Sequence, residues 1–286
     1  MIYSLAIVTR CAKTGRLGAA TGIVFTGVGV GILLSGTLVP LLPQIGFGAA
    51  WGGLAAIGAV GVGIALWGWR AADGDSREAS RLRPLPRLRW PVPAVLRLIC
   101  AQSLFSIGLV PHTIYWVDYL VRGLGNGIAV GGIHWVLFGA GAVSGTYLWG
   151  RLADRIGFRA AMVLVFAALA AGVAAPVLYP SAWVLILSSL VVGAQPGFSA
   201  IIYGRTHQVV GAARMAEVSR SMALASGVVQ AVGGYAYVSL FEAAHSYTPV
   251  FPVAGAAMAP GAVVALHLRR PVEANPGEPA KGSAHL

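Results

Sequence analysis

The sequence predicts an all-α protein, a polytopic membrane bundle of about eight transmembrane helices. Composition is the first reason: 57% of residues are hydrophobic and only 10% are charged, where a soluble domain carries about 25% charged residues. The second is the distribution of charge. Leu17–Trp69, Leu98–Val117, Gly123–Gly150, Ala160–Gly204, Ser221–Phe241 and Ala243–Leu268 contain no Lys, Arg, Asp or Glu. A helix needs roughly 20 mostly apolar residues to cross the hydrocarbon core, so each run crosses once and the two longest cross twice. The third is that basic residues gather in alternate connections, the pattern that sets membrane topology.

Taken in order, Pro43-Gln44-Ile45-Gly46 divides the first run into about Leu17–Leu42 and Phe47–Trp69, because adjacent Pro, Gly and polar residues punctuate turns. A polar connection over 71–93 follows, with Asp73, Asp75 and Glu78 before the basic stretch Arg81–Arg89; such a stretch is attracted to anionic headgroups. The third and fourth spans are Leu98–Val117 and Gly123–Gly150. Tyr179-Pro180-Ser181 separates the fifth, about Ala160–Tyr179, from the sixth, about Ala182–Gly204. Ser221–Phe241 and Ala243–Leu268 are the seventh and eighth. The tail 271–286 is polar and contains Gly and Pro, a composition expected to remain disordered. With these spans, 19 of the 20 Lys and Arg residues fall in one alternate set of connections and Arg122 stands alone in the other. The basic side is cytoplasmic, which places both termini inside. Within the spans, Gly27/Gly31 and Gly141/Gly145 are small-xxx-small pairs, which let helix backbones approach in lipid.

Several function classes are excluded. The net charge of +11 is explained by topology, and no basic patch is interleaved with aromatics, so nucleic acid is not an expected partner. Cys11 and Cys100 make neither a disulfide framework nor a metal spacing. There is no G-x-S-x-G, H-E-x-x-H or phosphate loop. Neither an enzyme activity nor a metal or other cofactor is expected. The expected partners are the lipid bilayer and a small-molecule substrate.

Ionisable residues inside spans are functional candidates, because burying them is costly. Asp118 stands near the outer end of the third span, where it can serve proton coupling or substrate, or pair with Arg122 at i+4. His112, Tyr115, Trp116 and Tyr119 share a helical face that can line a cavity or form an interfacial aromatic belt. His134 can titrate or donate to a backbone carbonyl. Gln195 beside Pro196, and Gln230 among Gly227, Gly233 and Gly234, can face substrate or satisfy a kink. His112, Tyr115, Asp118, His134, Gln195 and Gln230 are therefore the candidate substrate or proton site.

Between the fourth and fifth spans stands Gly150-Arg151-Leu152-Ala153-Asp154-Arg155-Ile156-Gly157-Phe158-Arg159. Gly150 allows close helix approach, Gly157 can take a positive φ, and Asp154 can accept near a helix start, where the macrodipole favours an anion. The segment resembles the signature loop of the major facilitator superfamily, G-x-L-a-D-r-x-G-r-k/r, with Phe158 as the departure. By that resemblance Gly150, Asp154, Arg155, Gly157 and Arg159 form a conformational-switch loop that latches two helix bundles. The stretch Gly15–Gly31 and the His112–Trp116 region resemble the YbfB/YjiJ-like branch. The resemblance implies a bacterial inner-membrane secondary transporter, with proton coupling open, whose spans match helices five to twelve of the twelve-helix fold. Residues 1–70 would then be the remnant of an N-terminal bundle, 71–93 the cytoplasmic linker, 94–270 the C-terminal six-helix bundle and 271–286 the tail. The chain is expected to be N-terminally truncated and to need either the missing helices or a second copy. A non-transporting membrane partner derived from a transporter is the alternative.

Overall fold

A computed structural model describes residues 17–38, 46–79 and 93–268. Met1–Val8, the Pro43–Ile45 turn, the basic half of the linker and the tail lie outside the described residues. Helix α1 is Leu17–Leu38, α2 is Phe47–Ala79 and α3 is Pro93–Val110. Helix α3 is prolonged by π-helical turns Pro111–Tyr115 and Tyr119–Gly123 on either side of Trp116–Asp118. Then follow α4 (Ile128–Ile156), α5 (Phe158–Leu178), α6 (Ala182–Gly193), α7 (Pro196–Ala244) and α8 (Val250–Leu266). Among the described residues six stretches are long and apolar enough to cross a membrane: Trp51–Gly68, Pro93–Gly123, Ile128–Ile156, Phe158–Leu178, Ala182–Gly211 and Arg214–Ala244. Thr26–Leu38 and Val250–Leu266 are shorter apolar helices. Each predicted span is thus represented by an apolar helix.

Several boundaries differ from the sequence reading, three of them by more than a shifted helix end. Helix α2 runs nine residues past Arg70, to Ala79, because Ala71, Ala72, Arg77, Glu78 and Ala79 are good helix formers at its polar end. Helix α7 joins two spans, broken at Gly211 with φ 75° and ψ 168°. The second arm resumes after Gly211 and its membrane-length stretch begins at Arg214, not Ser221, since charges in the first turns of a membrane helix can reach the interface. The third correction concerns the Gly150–Arg159 segment. It is helix rather than loop: α4 continues to Ile156, α5 begins at Phe158, and Gly157 alone turns the chain at φ 86° and ψ 149°.

Gly123 lies against Tyr247 at one end, while at the other Phe158 lies against Gly204 and Arg97 and Arg205 reach the last carbonyls of α8, so successive spans run antiparallel, α6 and the first arm of α7 counting as one. One end of the bundle carries Leu124–Gly127, Tyr179–Ser181 and the α7–α8 connection; the other carries Gly157, Gly211 and the end of α8. Helix α4 is central and packs against α1, α5, α6 and α7. Its contact with α1 runs along Gly29 and Gly36, where an added Cβ would lie 2.5 Å from Val143 N and 3.1 Å from Trp135 Cδ1. Gly27 and Gly31, the small-residue pair expected to pack closely, have nothing within 4 Å of a Cβ. Residues seven apart stay within about 20° of one another on a helix, so Gly29 and Gly36 form the seam while the expected pair faces away. Gly141 and Gly145 do pack as expected, against the Leu190 carbonyl of α6 and Ala194 at its C-terminal cap, and Gly193 reciprocates against the Phe138 backbone.

Apolar side chains fill the rest of the bundle. Phe105 stacks on Phe198 at 4.0 Å, and Phe198 meets Phe166 edge-on at 4.9 Å. The C-terminus of α8 is clasped by two cations: Arg97 donates to His267 O at 3.2 Å and Arg205 to Leu268 O at 2.7 Å. Both complement the negative end of the helix dipole. Helix α2 contrasts with all this, since no residue of Trp51–Gly68 is buried.

Candidate functional site

Two prolines prepare the site. Pro176 has no N–H, so Gly172 O, four residues back in α5, loses its helical donor. Pro180 does the same to Pro176 O. Side chains from neighbouring helices supply the missing donors: Ser188 Oγ of α6 donates to Gly172 O at 2.7 Å, and Tyr119 Oη donates to Pro176 O at 2.9 Å. Unpaired carbonyls cannot be left in hydrocarbon, so these bonds tie α5 to α6 and α3.

The rest of the cluster grows from Ser188 and Ser189, an adjacent polar pair in an otherwise apolar helix. His112 Nε2 lies 2.8 Å from Ser188 Oγ, and His134 Nδ1 lies 2.9 Å from Ser189 Oγ. Trp116 Nε1 donates to Ser189 Oγ at 3.2 Å, and Ser189 Oγ to Leu185 O at 3.0 Å. His112 stacks on the Trp116 indole at 4.4 Å and meets the Phe251 ring edge-on at 5.3 Å. His112, Trp116 and Ser189 have no exposed surface. His134 and Ser188 each enter six residues into their helices, roughly 9 Å along the axis. The cluster therefore lies within the bundle, nearer the Arg122 end. The π turn Pro111–Tyr115 places His112 inward here; such turns insert an extra residue and concentrate at functional sites.

The other sequence candidates disperse. Tyr115 stacks on Phe241 at 6.4 Å. Asp118 does not join the histidines: Arg122 Nε reaches its Oδ1 at 3.1 Å, and Tyr247 Oη donates to its Oδ2. Burial and this hydrogen bond push the Tyr247 phenol up to about 12. Gln195 is half-buried at the junction of α6 and α7, with its N–H on Val192 O at 3.1 Å. Gln230 is exposed on the second arm of α7, beside exposed Val228 and Val232. His134 bonds a serine hydroxyl, not the backbone carbonyl that was an alternative for it.

Ser188, Ser189 and Tyr247 were missed by the sequence reading. Two hydroxyls side by side in Leu185–Val192 were a visible signal; nothing in the sequence pairs Tyr247 with Asp118, 129 positions away. Among the described residues no His, Cys, Asp and Glu group could hold a metal ion.

The Gly150–Arg159 segment places Gly150 and Ala153 inside the packing and leaves Arg151, Arg155 and Arg159 exposed. Arg151 Nη1 donates to Tyr147 Oη at 3.2 Å and its guanidinium lies 5.4 Å from that ring. Phe158, where the signature has a polar residue, is 7% exposed and packs against Gly204 of α7. An apolar residue there anchors the start of α5 to the sixth span.

The family described as "Uncharacterised MFS-type transporter YbfB" matches residues 1–266. No curated protein matches the chain. Membrane-length helices with no strand among the described residues, the signature segment and a family match over most of the sequence agree, and the chain belongs to the YbfB family of MFS-type transporters, multi-pass proteins of the membrane.

Proposed function

We propose that the protein is a secondary transporter moving a small solute by alternating access, without enzymatic activity. The observation that carries this reading is the buried polar cluster of His112, Trp116, His134, Ser188 and Ser189 within membrane-length helices. Polar groups at such depth are costly and mark pathways in membrane proteins. The family match supports the reading. Helices α3–α8 act as one moving bundle in it. Gly150, Asp154, Arg155, Gly157 and Arg159 serve as the switch at its signature end, facing the cytoplasm of a bacterial inner membrane, which the basic asymmetry favours. Purified protein in proteoliposomes tests it against a panel of labelled small solutes. Saturable flux that Gly157→Val slows severalfold is expected; no saturable flux for any solute class would sink the proposal.

A second reading is a non-transporting partner of another helix bundle or of a second copy. The unburied α2 favours it, since all of Trp51–Gly68 is open to lipid or to a neighbour. Crosslinking through cysteines placed along this face separates the two. Discrete adducts without flux support the partner role, and flux without adducts removes it.

A further inference from the structure

Hydrogen-bond accounting fixes the tautomer of His112 and favours one tautomer of His134. A serine hydroxyl has one hydrogen to donate. Ser188 commits it to Gly172 O at 2.7 Å, a carbonyl that can only accept, so Ser188 Oγ receives its 2.8 Å bond from His112 Nε2–H. Ser189 commits its hydrogen to Leu185 O and accepts from Trp116 Nε1–H. Its remaining lone pair accepts from His134 Nδ1–H at 2.9 Å. The Ser189 hydroxyl is then saturated, and Ser188 has no hydrogen left to give. His112 Nδ1 is left bare, buried and without a hydrogen-bond partner among the described residues. A polar atom in that condition is uncommon and calls for a reason.

We propose that this network is a proton-binding site whose acceptor atom is His112 Nδ1. Protonation there breaks no bond: a proton from water joins Nδ1, and Nε2–H still donates through Ser188 to Gly172 O. The stacked Trp116 indole, 17° from parallel, presents its negative face to the resulting imidazolium. His134 meets the same indole nearly perpendicular at 6.1 Å, at the limit of about 6 Å for that attraction. The groups round His112 are Ser188 and Ser189 from α6, Gly172 O from α5, Phe251 from α8, His134 from α4, and Trp116 and Tyr119 from α3. No carboxylate among the described residues contacts it, since Asp118 is held by Arg122 and Tyr247. His112 has no exposed surface here, so the proton enters and leaves when the helices part. The proposal thus rests on the alternating-access reading and makes the proton a coupled ion.

The test uses the full chain with isotope-labelled histidine in lipid nanodiscs, and the proton as the only probe. At alkaline pH the nitrogen resonances of His112 are expected in the Nε2–H tautomer and those of His134 in the Nδ1–H tautomer. Acidification from about pH 8 to about pH 3, through and below the ordinary imidazole range, protonates His112 and quenches Trp116 emission. His112→Gln keeps a donor for Ser188 and loses that quench; His134→Gln retains it. An Nδ1–H tautomer at His112, a ring that stays neutral throughout, or coincident emission curves for wild type and His112→Gln would overturn the proposal. Should His112→Gln fail to fold, the wild-type resonances decide alone. A proton titration at His112 with no solute flux in proteoliposomes removes the transport reading and leaves the site. Flux with no titration does the reverse.

Discussion

Gly27 and Gly141 are equivalent letters in the sequence, each heading a small-xxx-small pair, yet a methyl group would meet open space at the first and the Leu190 carbonyl at the second. Gly141→Ala is expected to cost about 1–3 kcal/mol through overpacking, read as a lower unfolding midpoint in detergent. Gly27→Ala should be neutral or stabilising, because Ala is favoured over Gly in a helix by up to about 1 kcal/mol. Tyr247 makes a prediction about pH. Its phenol is raised from an ordinary value of about 10 to about 12, by burial first and the Asp118 bond second. A group whose folded value is raised stabilises the fold fully below its unfolded value and loses that contribution as pH climbs through the folded one. The stability advantage of wild type over Tyr247→Phe should therefore be constant below about pH 10 and shrink toward about pH 12. Thermal midpoints across that window check it, and an advantage that grows with pH would contradict it.

At the scale of elements, the signature segment is a helix end, one glycine and a helix start. Gly157 holds φ 86° and ψ 149° with nothing within 4 Å of an added Cβ. Any cost of Gly157→Ala must then come from the backbone. The conformation is open to glycine almost alone and costs other residues about 1–3 kcal/mol. A midpoint lowered accordingly is expected, while Gly46→Ala, also at positive φ but at the edge of the described residues, offers a comparison. Pro176 inside α5 and Pro180 just beyond it act at the same scale. They free carbonyls that regular helices would satisfy, and the structure uses those carbonyls to hold Ser188 and Tyr119. The sequence displayed Pro176 and Pro180 plainly, but proline says only that an acceptor is released, not which helix will supply the donor.

For the whole molecule, the exposed apolar surface tells how the helices sit in lipid. Trp67 and Trp183 are 77% and 76% exposed, whereas Trp116 has no exposed surface. In bilayers with brominated acyl chains, the emission lost on Trp67→Phe should come from the strongly quenched fraction and that lost on Trp116→Phe from the protected one. Equal quenching of both would argue against this bundle in the membrane. The sequence by itself determined the all-helical class, the eight apolar stretches, the alternation of charge and the family, because bilayer thickness and charge placement act on each segment independently of its neighbours. Only the tertiary structure decided that Gly29 rather than Gly27 carries the α1 contact, that Asp118 turns to Tyr247, and that His112 and His134 meet through two adjacent serines. Those outcomes depend on helix rotation and on partners up to 129 positions apart, and in lipid such partners are chosen by packing and hydrogen bonding between helices, which no single segment encodes.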